Sequence, residues 1–474
     1  MRSVLLALVL GAFLRHSPAP GQAPGPGPAQ DPAVRSEQAG AGAPNVLLLT
    51  MDQLAYDWLG FTSPGLPAIQ TPNLDRLAQN GTFFRRYYVD ADTCHPSRCS
   101  LLTGKPPMCH GALSESFRLP DSEVTLAEKL ARAGYATAAF GKIHNRASGA
   151  QQGFQQARDM GVYLLHLRSL GYRPGNSLLW QSQEYRTGMN RVPAGLQLQQ
   201  LITDDALAFL QASVGQPWFL YLSYQYPHPP WVPQHGTVAG MDPADVDAPL
   251  PDLAVWANKP LFQRQRFRAN GFDHLDAVDS LAHYLAYLGC IEETDRYIGQ
   301  ILQQLEQSGE LARTMIVFTP DHGDMAGQLG VFEKGFGTYE SIVHVPLIVQ
   351  YAPLFPPGTA VDELVQGSDI APTIYEVLGL QAPPGTTGES FLQLAQGGPP
   401  IHEVVFSAAE IAPASWMVHD GAYVLIAHPG DMHELYDLTL DPEQEVNRYN
   451  ELLYAGIRAR LTQLLDTWRR SGCN

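Results

Sequence analysis

Short apolar runs alternate with amphipathic stretches along most of the chain. VLLLT (46–50), YATAAF (135–140), WFLYLSY (218–224) and MIVFT (315–319) are short and almost continuously apolar, which predicts strands buried on both faces. Helical periodicity lies between them, most clearly over 283–307, HYLAYLGCIEETDRYIGQILQQLEQ. Strands alternating with helices predict an α/β fold, a large and mostly parallel sheet flanked by helices. From about residue 400 the pattern changes to VVFSAA, SWMV and AYVLIA, short strands with Asp420-Gly421 as a hairpin turn, and then a closing helix over 446–470. This divides the chain into a main domain over 45–395 and a smaller C-terminal α+β subdomain over 396–474. There is no internal repeat.

The beginning of the chain reads differently. Residues 1–16, MRSVLLALVLGAFLRH, place an early Arg before an apolar core from Val4 to Leu14. That core suits a signal peptide and is too short to span a bilayer. Residues 17–44 form a Pro/Ala/Gly-rich leader, and no other stretch has the length and apolarity of a transmembrane segment. Export is therefore expected, to a periplasm, the outside medium or a lysosome-like compartment. The cysteines are five, Cys94, Cys99, Cys109, Cys290 and Cys473, so at least one lacks an intramolecular partner. A formal charge of −17 counts against a nucleic-acid binder, which needs a basic surface. An anionic ligand would need a local basic pocket.

Each of the four strand candidates ends on chemistry. VLLLT runs into Asp52 and Gln53, YATAAF into Gly141, Lys142 and His144, WFLYLSY into His228, and MIVFT into Asp321, His322 and Asp324. Ligands of open α/β sheets bind beyond the carboxyl ends of the strands, so these residues belong to one candidate site. DTCHPSRCSLLTG (92–104) fits the same edge: Pro96 suits the first turn of a helix, which sets Cys94 at a helix N-terminus that favours anions. Lysine is scarce, five of the 30 basic residues, and two of the five are Lys142 and Lys334. A retained Lys suggests a point charge where Arg would offer a planar fork.

Singly, most of these residues have plainer readings. A cysteine is more often buried or disulfide-bonded, an Asp after a strand caps the next helix, and a His among prolines stiffens a loop. Cys99, Cys109, Cys290, Asp369, Glu434 and Asp437 are assigned to structure.

Taken together the motifs are recognisable. Cys94-His95-Pro96-Ser97-Arg98 with Leu101-Leu102-Thr103-Gly104 resembles the signature of the type I sulfatases, within the alkaline-phosphatase-like superfamily. PNVLLLTMDQ, TPNLDRLAQNGTFF, GYATAAFGKIH, IVFTPDHGD, HVPLIV, SDIAPTIYEVLGL and ELYDLTLDP resemble further blocks of that family in its order, over roughly 44–450. The resemblance implies that a formylglycine-generating enzyme oxidises Cys94 to an aldehyde, whose hydrate attacks sulfur and then expels sulfate through its second hydroxyl. It implies Asp52, Gln53, Asp321, His322 and the modified Cys94 as metal ligands. The oxygen-rich set suits Ca²⁺, with Mg²⁺ or Mn²⁺ left open because many members carry Asp and Asn where this chain has Gln53 and His322. Arg98 and Lys142 would position the hydrate, His144 would take its proton, and His228 and Lys334 would bind sulfate and protonate the leaving alkoxide.

The implied activity is hydrolysis of a sulfate ester, carried by a carbohydrate or another small molecule. Two alternatives stand beside it. A formylglycine-dependent phosphonate monoester or phosphodiester hydrolase shares the fold, and a secreted binding protein would keep the pocket with Cys94 unmodified. Specificity is expected from loops over 145–200 and 229–275.

Overall fold

Asn45–Asp52, fully buried along its length, forms the central strand β1. It pairs in parallel with β5 (Trp218–Pro227) on one side and β6 (Thr314–Phe318) on the other. These are three of the four apolar runs, and the fourth is β3 (Ala136–Gly141), parallel to β5. The computed structural model describes residues 42–62, 69–144, 152–172, 192–234, 249–409, 414–471 and 473. The expected signal peptide, most of the leader and parts of both expected specificity loops lie outside those residues.

With β2 (Thr82–Tyr88), β4 (Gln156–Asp159), β7 (Leu347–Gln350) and β8 (Thr359–Gln366), the sheet has eight strands in the order β4-β3-β5-β1-β6-β7-β2-β8. Only β7 runs against the rest, antiparallel to both β6 and β2. The fold is the expected α/β class. Gln38–Asn474 packs as one compact unit.

The long helix runs over Ala277–Gln307, six residues earlier than the periodicity indicated, because the Asp276 carboxylate accepts from the N–H groups of Val278 and Asp279 and starts it there. The second sheet is antiparallel, in the order β12-β11-β10-β9, with β9 (Val405–Ala409), β10 (Ser415–His419), β11 (Tyr423–Ala427) and β12 (Glu434–Asp437). Asp420 accepts from the N–H groups of Ala422 and Tyr423 and closes the expected hairpin. The closing helix is shorter than expected, Ala455–Ser471. Its expected first turns instead hold the edge of β12: Asn447 accepts from Leu435 N–H, and Arg448 N–H donates to the Leu435 carbonyl.

The residues assigned to structure behave so. Asp369 accepts from Gln366 N–H, Glu389 N–H and His402, while buried Glu434 accepts from Gln263, His428, Tyr339 and Tyr436. Cys109 and Cys473 form a disulfide, and Cys94, Cys99 and Cys290 are buried and free. No described helix is long and apolar enough to cross a membrane.

Candidate active site

The carboxyl ends of β1, β3, β5 and β6 deliver their polar residues around one point, the Cys94 side chain. Cys94 is the first residue of the Cys94–Thr103 helix, which ends at Gly104 in the left-handed region (φ 68°). Two other glycines are required by space. A Cβ on Gly141 would lie 1.9 Å from the Ser223 carbonyl oxygen, and one on Gly323 1.9 Å from that of Ser341. The first lets β3 pass close to β5 just before Lys142, and the second admits the turn after His322. Gln53 (φ 70°) and His144 (φ 54°) hold left-handed backbone that non-glycine residues seldom adopt.

Four of the five expected metal ligands, Asp52, Cys94, Asp321 and His322, bring ligand atoms within 4.8 Å of one another, all buried. His322 Nδ1–H donates to the Gly323 carbonyl at 2.8 Å, which leaves Nε2 facing Cys94 Sγ at 3.1 Å. Gln53 is the fifth. Its Nε2 donates to Asp324 Oδ2 at 2.6 Å, and its buried Oε1 has no hydrogen-bond partner among the described residues. Burial and the neighbouring Asp321 push the Asp52 carboxyl up to about 6, while Asp321, despite burial, is held below the usual carboxylate range by Arg98 and His322. Two buried carboxylates, an imidazole nitrogen and a spare amide oxygen fit a divalent cation, whose charge would keep both acids ionised.

Cationic groups stand among the same side chains, with Lys334 Nζ 3.0 Å from His322 Nε2. Lys334 Nζ is 2.8 Å and Lys142 Nζ 3.3 Å from Cys94 Sγ, and Lys142 also pairs with Asp52. Burial alone would raise the Cys94 thiol, but Lys142, Lys334 and His322 hold it well below the usual range. Arg98 is buried: Nε donates to Asp321 Oδ2 at 2.9 Å, Nη1 to Tyr221, Ser223 and the Lys142 carbonyl, and Nη2 has no hydrogen-bond partner among the described residues. It braces the site's backbone and acid. His228 Nδ1–H donates to the Pro229 carbonyl at 2.7 Å, and burial with Lys142 and Lys334 nearby pushes its pKa down to about 3. The free site therefore holds a neutral His228 beside two ammonium groups.

One contributor escaped the sequence reading, and another, Asp324, was placed at the site without a role. Glu115 Oε2 lies 3.0 Å from His144 Nε2, while its Oε1 accepts from His95 N–H at 3.1 Å, tying His144 to the start of the Cys94 helix. Glu115 sits in an aperiodic segment, and no pattern flagged it. Asp324, left without a role, orients Gln53. Its Oδ1 also accepts from Ala326 N–H at 2.6 Å and Glu333 N–H at 2.7 Å, which fixes the turn that carries Lys334.

A mostly parallel sheet that gathers acids, imidazoles and lysines around a helix-initiating cysteine at its carboxyl edge defines an alkaline-phosphatase-like hydrolase fold. The chain belongs to the sulfatase family, which it matches over residues 44–380. Residues 327–471 match the family described as N-sulphoglucosamine sulphohydrolase, C-terminal. A multifunctional alkaline phosphatase superfamily protein of Trinickia caryophylli, PehA, is 29% identical over 72% of this chain and 74% of its own. An arylsulfatase of Clostridium perfringens is 28% identical over 72% and 76%. The phosphonate monoester hydrolase of Agrobacterium radiobacter shares the fold, with a TM-score of 0.80, 24% identity, and coverage of 90% of this chain and 96% of its own.

Proposed function

We propose that this chain hydrolyses sulfate monoesters, with Cys94 converted to formylglycine by a formylglycine-generating enzyme and Ca²⁺ held by Asp52, Gln53, Asp321, His322 and the modified residue. The observation that carries the reading is the position of Cys94, the CxPSR cysteine, between two lysine ammonium groups and the acid cluster. The hydrated aldehyde would supply a nucleophile with a second hydroxyl for release, and the cation would draw charge off the sulfuryl oxygens.

The chain's own residues do the remaining work. Lys142 and Lys334 receive the sulfuryl oxygens, and their charge also holds Asp52 and Cys94 in place. His144, held by Glu115, is the base for the proton lost at release. Lys334 carries the proton available to the leaving oxygen. His228, kept neutral by burial and by the two lysines, reaches that role only once an anionic head is bound beside it.

Gln53 and His322 in the ligand set favour a second reading, a phosphonate monoester or phosphodiester hydrolase. The test is turnover of 4-nitrophenyl sulfate against 4-nitrophenyl phenylphosphonate by protein bearing formylglycine. The proposal requires the larger kcat/KM for the sulfate, and the reverse order selects the second reading. Export is supported by the apolar core of residues 4–14 and by the Cys109–Cys473 disulfide, a bond at home in an oxidising compartment.

A further inference from the structure

The cavity that holds Cys94 has a volume of about 360 Å³, and among the described residues its wall changes character away from the lysines and histidines. Met160, Leu164 and Leu167 recur at helical spacing on the Met160–Ser169 helix, so one face of that helix lines the cavity. Pro229, Pro230 and Val232 line it too. These side chains offer nothing to a hydroxyl. Burying a hydroxyl against such a wall without a partner is unfavourable. A polyhydroxylated ring would meet that cost several times over; an aryl or alkyl body meets none of it.

Three buried polar side chains interrupt the apolar lining, each with unmet hydrogen-bonding capacity. Glu293, on the long helix, is fully buried. Its Oε2 accepts from Gln234 N–H at 2.8 Å, and its Oε1 has no partner among the described residues. Gln199 Oε1 accepts from Gln225 N–H at 3.3 Å, but Gln199 Nε2 and Gln225 Oε1 are unpartnered among the same residues. All three side chains line this cavity. Buried polar atoms in folded proteins are nearly always paired, so three unmet atoms on side chains that line one cavity mark a place for a ligand group.

We infer that the alcohol released by this enzyme is an apolar body of about one or two rings carrying a second hydroxyl, which Glu293 and Gln199 receive. The inference rests on the sulfate-ester reading for the anionic head and goes beyond it by naming the alcohol. Glu293 is then a specificity residue. It binds the leaving group and takes no part in the bond exchange at sulfur, where the S–O ester bond breaks and the alkoxide takes up a proton.

The test uses 2-naphthyl sulfate, its 6- and 7-hydroxy derivatives, and N-acetylglucosamine 6-sulfate. Their dissociation constants are measured by calorimetry on the unmodified full chain, and kcat/KM on protein bearing formylglycine. One hydroxylated isomer should bind about tenfold tighter than the parent, the worth of one hydrogen bond to a buried acid. The sugar sulfate should bind more weakly than either. Glu293→Leu should erase the hydroxyl preference while still binding the parent, and Glu293→Gln should keep part of it. The ratio of the two naphthyl ligands within one variant controls for any change in folding. A sugar sulfate preferred over the naphthyl esters, or a hydroxyl preference unchanged in Glu293→Leu, would overturn the inference and leave the sulfatase reading intact. Glu293-dependent binding with no hydrolysis of any sulfate would keep Glu293 as the partner of the ligand hydroxyl but sink the sulfatase reading, and with it the claim that this body is a released alcohol.

Discussion

Gln53 Nε2 donates to Asp324 Oδ2 at 2.6 Å, and that bond decides which end of the Gln53 carboxamide is left for a cation. With the nitrogen committed, the oxygen is the free end, and it is buried with no partner among the described residues. The same Asp324 carboxylate holds the turn that carries Lys334. One residue outside the ligand set thus orients a ligand and places the Lys334 ammonium beside Cys94.

Asp324→Asn should therefore weaken metal binding. An amide nitrogen facing Gln53 Nε2 would favour reversal of the Gln53 carboxamide, presenting a donor where the cation needs an acceptor. A loss of about 10- to 100-fold in Ca²⁺ affinity is expected, the usual cost of removing an outer partner of a metal ligand. Calorimetric titration of Ca²⁺ into the wild type and the variant checks it; equal affinities would show that Gln53 is no ligand.

Glu115→Gln tests the support of His144. The carboxylate bridges His95 N–H and His144 Nε2, so its loss frees the imidazole to turn. A fall of about tenfold in kcat with KM unchanged is expected, smaller than the roughly 10²-fold or greater loss for His144→Ala. An equal effect on both parameters would mean that Glu115 shapes the pocket and does not position a base.

Glu340 gives a stability prediction away from the chemistry. Its side chain is 14% exposed, it accepts from Tyr88 O–H at 3.2 Å, and partial burial pushes its carboxyl up to about 8 from an ordinary 4.5. Between those values the unfolded chain has released a proton that the folded chain keeps. This group's contribution is full below about pH 4.5 and falls as pH rises toward 8. Buried neutral histidines such as His419, pushed down to about 3, act in the opposite sense below about pH 6.5, so the wild-type curve alone does not isolate Glu340. The difference between the wild type and Glu340→Gln does. The wild type should lose ground to the variant from pH 5 to pH 8, at most about 1.4 kcal/mol per pH unit. Denaturant unfolding across that range checks it, and a difference that does not change with pH would refute the assignment.

Much of the site could be read from residue order because parallel strands send their carboxyl ends to one edge. VLLLT-MDQ, TAAF-GKIH and VFT-PDH each announce a strand and its terminal chemistry within a few positions. Glu115 and Glu293 carry no such signal. The first lies in an aperiodic loop, and the second sits in an amphipathic helix where an acid usually faces water. The closing helix was overextended for a related reason. Helical periodicity continues back through 446–454, but Asn447 and Arg448 hydrogen-bond across the chain to Leu435, a tertiary pairing that local pattern cannot show.

The modification state of Cys94 tests the central claim most directly. Trypsin should release residues 87–98, YYVDADTCHPSR, which contain a single cysteine. After expression alongside an active formylglycine-generating enzyme, the account predicts a peptide whose mass shows the thiol-bearing carbon replaced by an aldehyde. The same preparation should turn over aryl sulfate. A peptide that carries only thiol under those conditions would contradict it and return the pocket to the binding-protein reading.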